Sequence, residues 1–319
     1  MKHLLNYNVF KPLEDIPGTG DLRSRLDGMG CDGLELLTLF DEVPPIYDDY
    51  ATSVHLPFSI DWYSGWMERI PENEEDKEGF KYISFGRTKD EIIRNVRQGI
   101  NCASRIRPAY GVLHGGNTNL DEAVKHDFVD NSKEVLEAFA EMVNCVVSGF
   151  KGNEPPFKLA FENLWWPGLK LTRPWEYELL NKRLEFDNWG FCLDTGHMMN
   201  TLPDAYEEDQ SIDLLLKVFD GLPQDMKDRI GTVHLQLSTS AEYRNTFTEQ
   251  ERPAGETMAD TIARSYPHIS KIDQHRPFSD TRCTLLIDEL SPDYVTHEML
   301  GSGPGGIIGD FIQQRSLFN

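Results

Sequence analysis

Cysteine is scarce and follows no pairing pattern: the 319-residue chain holds five, Cys31, Cys102, Cys145, Cys192 and Cys283, widely scattered and never in a C-x-x-C spacing. This argues against a disulfide framework and a Cys-ligated zinc site, and reduced thiols in a cytoplasm fit best. Cys192 and Cys283 lie inside apolar runs and read as small core residues. Positive charge is also short. Lys and Arg number 31 against 53 Asp and Glu, a net charge of −22, and no basic cluster offsets it. Such a field repels phosphate backbones and anionic bilayers, so neither nucleic acid nor a membrane surface is an expected partner. The acidic run Glu72, Glu74, Glu75, Asp76 and Glu78 reads as a solvated loop. No stretch approaches the ~20 apolar residues of a membrane span. The opening MKHLLNYNVFKPLEDIPG lacks an apolar core followed by a small-residue cleavage site, so the expectation is no span and no secretion signal. No internal repeat is evident.

The chain is 39% hydrophobic and 11% aromatic, enough for a sizeable core. Short β-rich apolar runs recur near Leu4–Val9, Gly33–Leu37, Thr52–Leu56, Tyr110–His114, Lys158–Glu162, Gly190–Asp194, Gly231–Leu235 and Thr284–Glu289. Between them, helical periodicity marks Asp21–Gly28, Lys89–Arg105, Asp127–Val147, Trp175–Glu185 and Ile212–Phe219. Eight nearly continuous apolar strands alternating with helices predict an α/β fold, a (β/α)8 TIM barrel formed by residues 1–319 as one domain. Two connections are too long for ordinary loops: Pro57–Arg87 after strand 3, with Trp62, Tyr63 and Trp66, and Ser238–Arg282 after strand 7. In a barrel both rise from the C-terminal face, where active sites are built, so both are candidate lids, and the first is expected to close with Trp62 and Trp66 facing the substrate. The Gly-rich, then mildly apolar tail from Gly301 is expected to cap the barrel or meet a second subunit.

Six predicted strands finish on a residue able to bind a metal: His55 in VHLPF, His114 in GVLHGG, Glu162 in LAFEN, Asp194 in FCLDTGH, His234 in TVHLQ and Glu289 in LLIDEL. A barrel brings such ends to one rim. Alone, each reads as a hydrogen-bonded scaffold residue or a cap; together, three converging carboxylates repel unless protons or a cation intervene. Imidazole with carboxylate suits Zn²⁺ or Mn²⁺, with Mg²⁺, Co²⁺ and Fe²⁺ also compatible. In DTGH, Asp194 and His197 flank a turn containing Gly196 and can face one site; in KIDQHRPF, Asp273 and His275 would point the same way on an extended segment. Trp165 and Trp166, directly after the FEN segment, would suit stacking on a sugar ring or plugging the barrel mouth.

GCDGLEL, VHLP, the E-N of FEN, LDTGH, VHLQ and a terminal strand ending in Glu resemble, in order, the landmarks of the xylose isomerase-like TIM-barrel superfamily. That superfamily includes sugar and sugar-phosphate isomerases and epimerases, dehydratases and endonucleases of the endonuclease IV type. The resemblance implies that Glu162, Asp194, His234 and Glu289 match the four-ligand site of the epimerase and dehydratase branches, with His197 against the substrate. His55, His114, His197, Asp273 and His275 resemble the further ligands of the zinc cluster in the endonuclease branch. The chain departs from the pattern in VHLQLS, which lacks the Asp or Asn that often follows the strand-seven His, and in the long insertion between His234 and Asp273.

The leading expectation is a metal-dependent isomerase or epimerase of a small sugar, sugar phosphate or related polyol carbonyl compound, with Glu162 and Glu289 exchanging protons at carbon through an enediolate and His197 positioning an oxygen. A dehydratase would use the same proton abstraction. The alternative is a multinuclear zinc phosphoesterase of the endonuclease IV type. A barrel that only binds its ligand would leave the ligand set without a task.

Overall fold

The computed structural model describes residues 1–70, 79–125, 128–247 and 258–301, together with 253, 255, 256, 303 and 305–318. Eight strands close on themselves in chain order: β1 (Lys2–Asn8), β2 (Gly33–Leu37), β3 (Ala51–His55), β4 (Tyr110–His114), β5 (Lys158–Glu162), β6 (Trp189–Asp194), β7 (Ile230–His234) and β8 (Tyr294–His297). All neighbours are parallel, and β1 completes the ring by pairing Lys2 with Tyr294 and Leu5 with His297. The expected (β/α)8 barrel is present, and β1 to β7 lie within one or two residues of their predicted ends.

Parallel strands need long return connections, which helices supply. In Lys89–Ser104, Thr88 caps the first turn by accepting from the Glu91 backbone N–H, Asp90 and Glu91 sit against the positive helix end, and Ile92, Val96, Ile100 and Ala103 form the buried stripe. The helix Ser132–Val147 is built the same way behind an Asn131 cap. Among the described residues no helix is long and apolar enough to cross a membrane.

Alternate side chains along each strand enter different cores. Leu5, Leu113, Phe161, Leu193 and Val233 pack outward among the helices. Leu4, Tyr110, Val112, Ala160 and Cys192 form a separate apolar cluster inside the barrel. Continuing that inward parity by one step reaches His114 on β4, Glu162 on β5 and Asp194 on β6, so the layer above the apolar plug is polar.

The eighth strand is a correction. The run Thr284–Leu290, expected as a strand ending on Glu289, is a helix in which Cys283, Leu286, Ile287 and Leu290 are buried while Leu285, Asp288 and Glu289 are exposed. That is an i, i+3, i+4, i+7 stripe, continued from a turn in which Asp280 caps Arg282. The true β8, Tyr-Val-Thr-His, carries polar inward residues and has no apolar run. The tail helix Gly306–Arg315 docks on the barrel, with Phe311 buried and Gln314 Nε2 donating to the Leu235 carbonyl at 2.8 Å.

Candidate metal centre

The upper rim gathers five imidazoles and four carboxylates into three groups, the first two sharing Glu162: His55, His114 and Glu162; Glu162, Asp194, His234 and Glu298; and His197, Asp273 and His275. Within each group the ligand atoms lie within 4.8 Å of one another. Glu162, wholly buried, belongs to two groups and divides its oxygens between them. Its Oε2 lies 3.2 Å from both His55 Nε2 and His114 Nε2, and its Oε1 lies 3.2 Å from His234 Nδ1 and 3.3 Å from His197 Nδ1.

Backbone partners aim the imidazoles. Nδ1–H of His55 donates to the Leu56 carbonyl at 2.9 Å, that of His197 to Asn163 at 2.9 Å, and that of His275 to Glu298 at 3.2 Å. Each ring therefore turns Nε2 toward a carboxylate: His55 toward Glu162, and His197 and His275 toward Asp273 Oδ2 at 3.3 and 2.7 Å. This outer partnering orients ligating histidines. Asn163 ties β5 to β6 by giving Nδ2–H to the Asp194 carbonyl and accepting the Asp194 N–H.

Asp273 and His275 are brought in by the insertion after β7. Leu237 and Arg276 exchange backbone hydrogen bonds of 2.8 and 3.2 Å, folding the insertion back onto the strand end. The segment is not extended as expected: Asp273 N donates to Ile269 O at the end of the helix Met258–Ile272, and His275 sits at φ 46°, a left-handed conformation that is strained for a side chain other than glycine. That twist turns the ring back toward Asp273.

Burial and like charge set the electrostatics. Burial, reinforced by Glu298, Glu162 and Asp273 and opposed by His197, pushes the Asp194 carboxyl up to about 7. Burial works against charge on His275 and His197 too, yet Asp273 and its neighbouring carboxylates outweigh it, holding His275 at about 10 and His197 well above the usual range. Glu162, despite its burial, is held well below the carboxylate range by His234, His114 and His197. The polar layer thus sets carboxylates against imidazoles of both kinds, His197 and His275 favouring the charged form while burial pushes His114 down. Asp194 Oδ2 and His114 Nδ1, both buried, have no hydrogen-bond partner among the described residues. Unpartnered atoms of this kind, in an oxygen and nitrogen donor set, fit a divalent metal.

Glu289 is not part of this centre. It lies on the outer helix Thr284–Leu290 and pairs with Lys227 at 2.7 Å. Glu298, immediately after β8, takes the place expected of it, 2.8 Å from His234 Nδ1. Asn6 on β1 holds the adjoining backbone by accepting the Met299 N–H and donating to its carbonyl. Glu35 also escaped the sequence reading: its Oε1 lies 2.7 Å beneath His234 Nε2, and Ser53 and Thr296 donate to its Oε2. The GCDGLEL segment contains it, and inward parity on β2 is the signal that could have found it.

The tryptophans of the expected lid are corrected as well. Trp62 and Trp66 are each 1% exposed in the main core, and Trp62 Nε1 donates to the Gly116 carbonyl at 2.9 Å. They hold the loop down rather than face a substrate; the acidic run that follows lies outside the described residues. Trp62→Ala is accordingly expected to cost about 3 kcal/mol or more in unfolding free energy, the scale for emptying a large aromatic site. Chemical denaturation checks this, and wild-type stability would contradict a core role. Trp165 and Trp166 are buried with Leu164 and Ile272, and only Trp165 adjoins the centre, its ring 5.2 Å from that of His197. An exposed aromatic does stand at the mouth: Phe58, 46% accessible, stacks on His114 at 5.2 Å between ring centres.

No protein-family profile matches the chain, and no curated protein is similar to it in sequence at a significant level. Solved structures do match over its whole length. An endonuclease IV from Thermus thermophilus superposes with a TM-score of 0.54 at 12% identity, covering 100% of this chain and 99% of that one. A D-tagatose 3-epimerase-like protein gives 0.53 at 14% identity, with 100% and 96% covered. The chain shares the (β/α)8 barrel fold of these proteins. A D-allulose 3-epimerase from Methylomonas sp. shares this fold at a TM-score of 0.54 and 9% identity, again with 100% and 96% covered. Within this barrel the centre described above sits at the C-terminal ends of the strands, where barrel enzymes place their chemistry.

Proposed function

We propose that the protein is a multinuclear metal-dependent hydrolase acting on phosphate esters, the reading the sequence ranked second. The observation that carries it is Glu162, whose two oxygens face separate ligand groups, with a third group of His197, Asp273 and His275 alongside. A single-metal isomerase site would need only Glu162, Asp194, His234 and Glu298. The resemblance drawn from the sequence gives the remaining ligands to the endonuclease IV branch, and the fold comparison is compatible with it. Zn²⁺ is the first candidate, because imidazole and carboxylate donors suit it.

Divalent cations held by these groups would supply Lewis-acid polarisation and charge neutralisation for displacement at phosphorus. The chain's own contribution is geometric. Glu162 holds two groups at a fixed separation, and His55, His197 and His275 present Nε2 because their Nδ1–H groups are engaged by backbone carbonyls. Phe58 on His114 offers an apolar platform at the entrance that would exclude water from one flank of a bound ester. The net charge of −22 favours a small phosphoester over duplex DNA.

The second reading, an isomerase or epimerase of a small carbohydrate-like substrate, is favoured by one observation: Glu162 and Glu298 both lie against His234, so a proton-exchanging pair survives without Glu289. The test is elemental analysis of the purified chain, followed by assays on bis(4-nitrophenyl) phosphate, a sugar and sugar-phosphate panel, and abasic duplex DNA. Close to three metal equivalents with phosphoester hydrolysis is expected. One equivalent with sugar epimerisation and no hydrolysis would sink the hydrolase reading.

A further inference from the structure

Gln236 lies in VHLQLS, two residues beyond His234, and the structure puts its side chain between two ligand groups. Gln236 is wholly buried, and its Nε2 lies 3.0 Å from Asp194 Oδ1 and 3.0 Å from Asp273 Oδ1. A primary amide carries two N–H donors, so one group can serve both carboxylates. The orientation of the amide is set from behind. Ser238 Oγ donates to Gln236 Oε1 at 2.8 Å and itself accepts the Gln274 backbone N–H at 2.8 Å, which leaves the NH2 facing the carboxylates. The backbone is held as well, Gln236 N donating to Thr195 Oγ1 and Thr195 Oγ1 to the Gln236 carbonyl. Gly196 makes room: a Cβ there would come within 2.1 Å of the Gln236 amide.

The two carboxylates are left with the same asymmetry. Asp194 Oδ1 takes Gln236 and the His197 backbone N–H at 2.5 Å, while its Oδ2 has no hydrogen-bond partner among the described residues. Asp273 Oδ1 takes Gln236, while its Oδ2 faces His197 and His275. In each case the amide engages Oδ1 alone and leaves Oδ2 clear of it.

We infer that Gln236 is a positioning residue that couples the two aspartate-containing metal groups, so that cation binding at Asp194 and at Asp273 rises and falls together. The inference rests on the multinuclear reading above. A cation drawing Asp273 Oδ2 toward His197 and His275 firms the Gln236 amide that also orients Asp194, and the reverse holds for a cation at Asp194; such coupling is reciprocal by thermodynamic necessity.

The test uses the full chain, stripped with a chelator and titrated with Zn²⁺, reading metal retained per chain together with thermal unfolding of the stripped form. The variants are Gln236→Met, which keeps the volume beside Gly196 but has no donor, and Ser238→Ala, which removes only the orienting hydroxyl. For Gln236→Met the expected result is a parallel loss of affinity of about 10-fold or more for two of the three equivalents, the range seen when an outer-shell partner of a metal ligand is removed. The equivalent held by His55, His114 and Glu162 should be retained. Ser238→Ala should shift the same two in the same direction, by less, in a chain that unfolds like wild type. Unchanged loading in both variants, or weakening of only one equivalent, overturns the coupling. A wild-type chain that holds no Zn²⁺ removes the metal reading itself, which is a distinguishable failure.

Discussion

On the proposed multinuclear reading, replacing Glu162 by Gln is expected to remove two of three metal equivalents and to lower turnover by roughly three orders of magnitude, the upper end of the scale for loss of one preorganised group at a buried site. The reason is its double membership: an amide would offer one oxygen where the carboxylate offers two, and its NH2 would point a donor at imidazoles that should be donating lone pairs. The stripped variant should also be less stable than the stripped wild type, because the buried imidazoles of His114 and His234 lose the carboxylate they face. Metal content, turnover and unfolding of the stripped chain separate these effects. Full metal loading with wild-type turnover would refute the bridging role.

The second large effect is a contrast between two glutamates that a sequence reader would confuse. Glu298→Gln should weaken metal retention by about 10-fold or more and depress turnover with it, since Glu298 lies 2.8 Å from His234 Nδ1 in the four-ligand group. Glu289→Gln should leave both unchanged. It severs a half-exposed pair with Lys227, and exposed pairs, screened by solvent, contribute within about 1 kcal/mol. Measuring both variants under one protocol decides the matter: a metal-deficient Glu289→Gln beside a normal Glu298→Gln would reverse the assignment of the closing ligand.

How far the chain could be read without coordinates depended on whether a segment's own pattern matched its environment. Strands β2, β4 and β5 coincide with their predicted ranges because a strand covered on both faces must be apolar nearly throughout. Their terminal His and acidic residues were visible as breaks in those runs. Capped helices such as Lys89–Ser104 were legible for a similar reason, Thr88 and the first-turn acids being local devices.

Where neighbours decided, local pattern misled. Thr284–Leu290 is short and apolar enough for a strand, and only the surface on which it packs makes it a helix; β8 has a single aliphatic residue, Val295, because Thr296 serves Glu35 inside the barrel and His297 meets the tail helix outside it. Trp62 and Trp66 looked like lid residues because a loop rich in tryptophan is unusual, but a tryptophan in a loop can equally be the peg that fastens it, and burial distinguishes the two.

Periodicity along one chain therefore determined the barrel, the ends of its first seven strands and most of the ligand types, since these follow from side chains a few residues apart and from the charge they carry. Closure of the ring decided the rest: that Glu298 rather than Glu289 completes the four-ligand group, that Glu35 stands beneath His234, and that Gln236 spans Asp194 and Asp273. Those contacts join residues tens to hundreds of positions apart, and a period-2 strand says which face a side chain takes but not which partner from another strand will meet it there.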